Sequence, residues 1–168
     1  GFSTGAAVAL QQVIKKPDAF DGIISISAPL KFKSVSAKFA GIVNVWNRAF
    51  ITAGFNRATK LYAKNHADNP HINYFRCPVS SIVQIQGLMK LVVAKLPKIN
   101  IPSLIMHGTD DPKVDVESAK EIFSKISSVH KTYKEIDYHL HGIIRGEIGR
   151  SVFKEVGLFL SDLELNKI

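Results

Sequence analysis

The 168-residue sequence predicts an α/β fold: about three parallel strands with flanking helices, interrupted by a helical insertion. Short β-branched apolar runs point to the strands, and amphipathic stretches alternating with them point to covering helices. The third sign is a break in that rhythm, about 65 residues of helix-like sequence with no convincing strand.

The first strand is read at Gly22–Ser27 and the second at Ile101–Met106, which ends at His107-Gly108. Both are short and apolar, as buried parallel strands are. The third, Lys131–Asp137, alternates in polarity and carries more charge, as an edge strand does. A helix over Thr4–Lys15 gathers Ala6, Ala7, Leu10, Val13 and Ile14 on one face and stops at Pro17. A second, Asp115–Ile126, carries the stripe Val116, Ala119, Ile122, Phe123, Ile126, with Asp115 as its expected N-cap. Ile148, Val152, Val156, Phe159, Leu160 and Leu163 form a third stripe near the C-terminus, where Glu147 is placed to cap. The insertion, residues 31–97, shows helical patterns at Ser36–Ala53 and Ser80–Leu96, separated by the Asn-, His- and Pro-rich stretch Asn65–Pro78.

Composition narrows the function classes. Apolar residues make up 46% and charged ones 21%, which excludes bulk disorder. No apolar run reaches the length of a membrane span, and no leader is recognised. Cys77 is the single cysteine, so neither a disulfide nor a cysteine-based metal site is expected. The formal charge is +8, but 17 of the 22 basic residues are lysines scattered along the chain, a solvated surface rather than a nucleic-acid stripe.

The chain opens with Gly1-Phe2-Ser3-Thr4-Gly5 running straight into a helix. A serine on a sharp strand-to-helix turn projects its hydroxyl outward, and flanking glycines avoid a clash with neighbouring chain. The helix N-terminus adds its dipole, and the Thr4 N–H can face a developing oxyanion. By composition such a pentapeptide recurs in roughly 5% of chains this long, so its companions matter. Asp111 follows the second strand and His141 the third, giving the chain order Ser, Asp, His at one edge of the sheet. The bland alternatives are an N-cap role for Ser3 and a turn role for Asp111 before Pro112.

These residues resemble the α/β-hydrolase superfamily, in particular its carboxylesterase, monoacylglycerol-lipase and serine-aminopeptidase-like branch. Gly1–Gly5 is similar to the family's nucleophile elbow, Phe20-Asp21-Gly22 to Pro29 to its next strand ending in Ser-Ala-Pro, and Ile101-Pro102 through Val114 to its strand and Gly-x-x-Asp-Pro turn. The resemblance implies Ser3 as nucleophile, Asp111 rather than Asp110 as acid, and Thr4 as an oxyanion donor. It implies His141 rather than His139 as base, from its spacing to the last helix. It also implies ester hydrolysis without cofactor or metal, a small-molecule ester as partner and residues 31–97 as a cap, around a core of residues 1–30 and 98–168.

Relatives carry Met-Gly-Gly where this chain has Thr4-Gly5-Ala6. They also place more strands before the elbow. The chain is therefore expected to be the C-terminal portion of a longer enzyme, cytoplasmic, and weakly active alone because Ser3 would sit on a frayed end. Self-association across an exposed sheet edge is expected too, and a non-catalytic α/β fragment is the competing reading. Trp46, Phe50, Phe55 and Phe75 either line an acyl pocket or fill a core. His107 is read as ending a strand without chemistry, and His66, His71 and His130 as surface residues.

Overall fold

The computed structural model describes residues 1–65 and 74–165. His66 and His71 lie outside them. The chain divides into two units, Gly1–Lys33 with Leu88–Ile168, and Ser34–Gly87.

In the larger unit, β1 (Ile23–Ile26), β4 (Ser103–Gly108) and β5 (Lys131–Ile136) form a sheet in the order β1-β4-β5, both pairs parallel. Ile23 lies opposite Ser103, and Ser103 opposite Lys131. β4 is central and buried at all six positions, because neighbouring strands cover both its edges and apolar layers both its faces. Residues 1–2 extend the sheet beyond β1: Phe2 bridges Ile26 in parallel, and the Ile26 N–H donates to Gly1 O at 2.9 Å.

Side-chain alternation splits the core in two. On one face Ile23 and Ile105 pack with Leu10 and Val13 of α1 (Thr4–Lys15), Ile122 of α5 (Glu117–Lys125), and Val92, Leu96 and Ile99. On the other, Ile26, Leu104 and Met106 pack with Ile143 and with Val152 of α6 (Gly146–Leu165). Phe159 and Leu163 approach Gly22 so closely that a methyl group there would lie 2.9 Å from Leu163 Cδ1. Leu160, expected in this stripe, is instead exposed, because it falls outside the arc that Val152, Val156, Phe159 and Leu163 turn inward. The N-cap position of α5 falls one residue beyond Asp115, at Val116; Asp115 still contributes, its Oδ1 accepting the Glu117 N–H at 3.1 Å. Glu147 lies in the first turn of α6, where a carboxylate suits the helix dipole.

The smaller unit holds α2 (Val35–Lys38), α3 (Ala40–Thr52) and the start of α4 (Val79–Val93), with Phe39 separating the first two where one helix was expected. It also contains a hairpin that the sequence reading missed, β2 (Tyr62–Lys64) antiparallel to β3 (Arg76–Pro78). Three-residue strands offer too little alternation to be read as such. Asn47 fixes the chain after α3: its Nδ2 donates to Lys60 O at 2.9 Å and its Oδ1 accepts the Lys60 N–H at 2.8 Å. Trp46 stacks on Phe50 with centroids 4.4 Å apart, and Phe55 meets Phe50 edge-on. Trp46, Phe55 and Phe75 are all more than half exposed, so they do not serve as core filler. Among the described residues, no helix is long and apolar enough to cross a membrane.

The sheet-facing side of α5 is part of the core of the larger unit. Ile122→Ala removes a fully buried side chain and is expected to lower unfolding free energy by about 2–5 kcal/mol. Urea titration checks this, with Lys125→Ala on the exposed face expected to stay within about 0.5 kcal/mol of the parent.

Candidate active site

Ser3 occupies the turn between residues 1–2 and α1 with φ 52° and ψ −129°. Positive φ at a non-glycine residue is strained by roughly 1–3 kcal/mol and persists only where its surroundings over-determine it. Here they do. The Ser3 N–H donates to Ile26 O at 2.9 Å, and Ser3 O accepts the Ala6 and Ala7 N–H groups at the start of α1. Pairing with β1 and the helix hold both sides of Ser3. The N-cap alternative is not what the structure shows: the Ser3 side chain makes no capping bond, and its hydroxyl turns to His141. Thr4 begins α1, so its N–H has no acceptor within the helix.

The glycines around the turn are not equivalent. A Cβ at Gly1 would lie 2.6 Å from Ala6 Cα and from Gly5 O, a backbone clash with no side chain to give way. A Cβ at Gly5 meets nothing within 4 Å. The expected steric need for both glycines is therefore corrected: only Gly1 sits where chain segments meet.

Asp111 is brought to the same edge by the loop after β4. It is completely buried, and its Oδ1 accepts the N–H groups of Lys113 at 2.8 Å and Val114 at 3.0 Å. The Pro112 ring between them narrows the turn's freedom. The segment before α2 braces this loop: Phe32 bridges Val114, and the Asp115 N–H donates to Lys31 O at 3.0 Å. Asp111 Oδ2 takes the His141 Nδ1–H at 2.6 Å, and His141 Nε2 lies 2.7 Å from Ser3 Oγ. That arrangement gives His141 a protonated Nδ1 and a bare Nε2, the tautomer that can accept the serine proton.

His141 comes from the loop between β5 and α6. That loop is tied to the Asp111 loop, with the Thr109 N–H on Ile136 O at 2.9 Å and the Asp110 N–H on Tyr138 O at 3.2 Å. Asp110 is thereby placed beside the constellation and outside it. His139 is exposed and rests its ring against Tyr138, and His130 is exposed as well. Gly108 lets the two loops approach: an added methyl would come 3.1 Å from Ile143 Cγ2 and 3.3 Å from Tyr138 O.

Two contacts were not found from sequence. The Phe2 ring lies 5.1 Å from the His141 ring, tilted by 35°. The His107 side chain, expected to have no part in the site, is fully buried with Nε2 3.4 Å from Asp111 Oδ2. The four-residue spacing from His107 to Asp111 was visible, but only the turn after β4 brings the side chains together. A further feature is Ser27, also at positive φ (50°), just past the strand residue whose carbonyl holds Ser3.

Burial pushes the Asp111 carboxyl up, but the His107 and His141 rings and the N–H groups of Val114 and Lys113 outweigh it and hold the group well below the usual carboxylate range. A carboxyl depressed in the native state stabilises fully above its unfolded value of about 4, and that stabilisation is lost as pH falls further. Acid titration below about pH 4 should therefore unfold the chain progressively, and Asp111→Asn should flatten that acid slope while lowering stability near neutrality. An unchanged slope would remove Asp111 as its source.

The two elbow glycines give a second expectation. Gly5→Ala should leave thermal stability unchanged or raise it by up to about 1 kcal/mol through helix propensity. Gly1→Ala should lower stability by about 1–3 kcal/mol by overpacking. Calorimetry of both variants measures the contrast.

The chain is 26% identical to human monoglyceride lipase over 173 residues, covering 96% of this chain and 57% of the human protein. Its fold matches the monoacylglycerol lipase of Paleococcus ferrophilus with a TM-score of 0.77 at 20% identity, over 97% of this chain and 67% of that one. A soluble variant of monoglyceride lipase from Saccharomyces cerevisiae matches with a TM-score of 0.72 at 15% identity, over 97% and 64%. A structure described with the metagenome-derived lipolytic enzymes LipS and LipT matches at 0.78 and 18% identity, over 96% and 63%. The chain thus spans a little under two thirds of most of these relatives and carries part of the α/β-hydrolase fold. The family model described as serine aminopeptidase, S33, matches residues 1–148, and the chain belongs to that α/β-hydrolase family.

Proposed function

We propose that this chain carries the catalytic triad of a serine hydrolase acting on carboxylic esters, of carboxylesterase or monoacylglycerol-lipase type. The observation that supports it is the continuous relay from Asp111 Oδ2 through His141 to Ser3 Oγ, at 2.6 and 2.7 Å. Ser3 Oγ attacks the ester carbonyl while His141 Nε2 takes its proton. Asp111 keeps the imidazole in the required tautomer and offsets the charge it gains. The negative oxygen of the tetrahedral intermediate faces the Thr4 N–H at the positive end of α1. His141 then returns the proton to the departing alcohol, leaving an acyl group on Ser3. Water, deprotonated by the same nitrogen, releases the acid.

Residues 31–97 act as the cap in this reading. Trp46, Phe55 and Phe75 present exposed apolar surface within these residues. The named relatives that are lipases support the ester substrate class. The reading needs no metal or cofactor, and a cytoplasmic location and edge-to-edge self-association remain part of it.

A fluorophosphonate probe tests the proposal directly. Covalent labelling at Ser3 is expected, abolished in Ser3→Ala and reduced by about 10³-fold or more in His141→Ala. Comparing a p-nitrophenyl ester with an aminoacyl anilide then separates ester from peptide chemistry. Labelling that persists in Ser3→Ala, or none in a protein that includes this chain, would end the serine-hydrolase reading.

A further inference from the structure

Asp111 is not held by His141 alone. His107 stands on β4 four residues earlier, wholly buried, with Nε2 3.4 Å from both Val114 O and Asp111 Oδ2. Both neighbours are acceptors, a peptide carbonyl and a carboxylate that the surrounding donors keep ionised. A bare Nε2 lone pair would face two oxygens, whereas an Nε2–H donates to the Val114 carbonyl and stands 3.4 Å from Asp111 Oδ2. The other nitrogen, Nδ1, is enclosed and has no hydrogen-bond partner among the described residues. A proton there would be a buried donor with nowhere to go, a costlier defect than an unmatched lone pair. Chemistry on both sides of the ring thus selects one tautomer, with hydrogen on Nε2.

Val114 makes that tautomer useful. Its N–H donates to Asp111 Oδ1 at 3.0 Å while its carbonyl accepts from His107. One residue, through the peptide groups on its two sides, therefore holds the first carboxylate oxygen and anchors the ring that reaches the second. Rotating the carboxylate away from His141 would break both the backbone bonds at Oδ1 and the imidazole contact at Oδ2.

We propose that His107 is a positioning residue for Asp111: its Nε2–H, shared between the Val114 carbonyl and Oδ2, fixes the carboxylate plane so that Oδ2 meets His141 Nδ1–H. The consequence for catalysis rests on the triad proposed above. The positioning itself does not, and it can be read without turnover.

The test uses long-range ¹H–¹⁵N spectra of the chain with ¹⁵N-labelled histidine near neutral pH. His107 should show a protonated Nε2 and a bare Nδ1, and His141 a far-downfield Nδ1 proton from its bond to Asp111. His107→Phe keeps a ring of similar size and removes the donor, and His107→Gln places an amide N–H near the former Nε2–H. The downfield His141 signal should persist in His107→Gln and shift upfield or broaden away in His107→Phe. Fluorophosphonate labelling of Ser3 should fall about tenfold or more with Phe and recover to within about threefold with Gln.

A protonated Nδ1 on His107, or a His141 signal unchanged by Phe, would overturn the proposal. If the Phe variant does not fold, the native tautomer and the Gln variant decide: loss of the downfield proton in folded His107→Gln overturns it, and retention supports it. Absence of labelling in a longer protein that contains the unaltered chain would count against the hydrolase reading alone, with the spectra still judging His107.

Discussion

The carboxyl end of β4 is the constraint on which the rest of the site depends. β4 is the strand that both β1 and β5 use as partner, and it is buried at every position, so its direction sets theirs. Parallel pairing delivers the ends of all three strands to one rim. Ser3 reaches that rim through its bond to Ile26, Asp111 through the turn after β4, and His141 through the loop after β5. A one-residue slip in β4 would invert its faces, exchanging Ile105 and His107 for Leu104 and Met106.

What happens at the rim is a contest between burial and hydrogen bonding. An isolated buried carboxylate would protonate, and a protonated Asp111 would no longer orient His141 as a hydrogen-bond acceptor. Two backbone N–H groups at Oδ1 and two imidazoles at Oδ2 reverse that preference. The strain at Ser3 is met in the same way, with cost concentrated at one residue and the bonds that hold it spread over its neighbours. The rim thus holds an ionised carboxylate, an imidazole and a part-buried hydroxyl in one chain of contacts.

Much of the larger unit was legible because its signals are local. Ile23–Ile26 and Ser103–Met106 are β-branched or apolar runs bounded by turn residues, and α1 and α5 show clean apolar faces. The smaller unit was harder. Its hairpin rests on three-residue strands, and the break at Phe39 carries no glycine or proline to announce it. Phe2, His107 and the freedom at Gly5 were also out of reach, since each depends on what lies opposite in space.

The sequence by itself determined the order of the chemistry: a serine in a glycine-flanked turn before a helix, then an acid and a histidine each following a strand. Those features sit within a few residues of one another, where propensity and turn geometry act directly. The family resemblance already favoured His141 over His139 and Asp111 over Asp110; what only the tertiary structure shows is His141 meeting Ser3 and Asp111 enclosed, because the direction a loop side chain takes depends on what packs against it. That direction is set by packing between loops 30 and 138 residues apart in the chain.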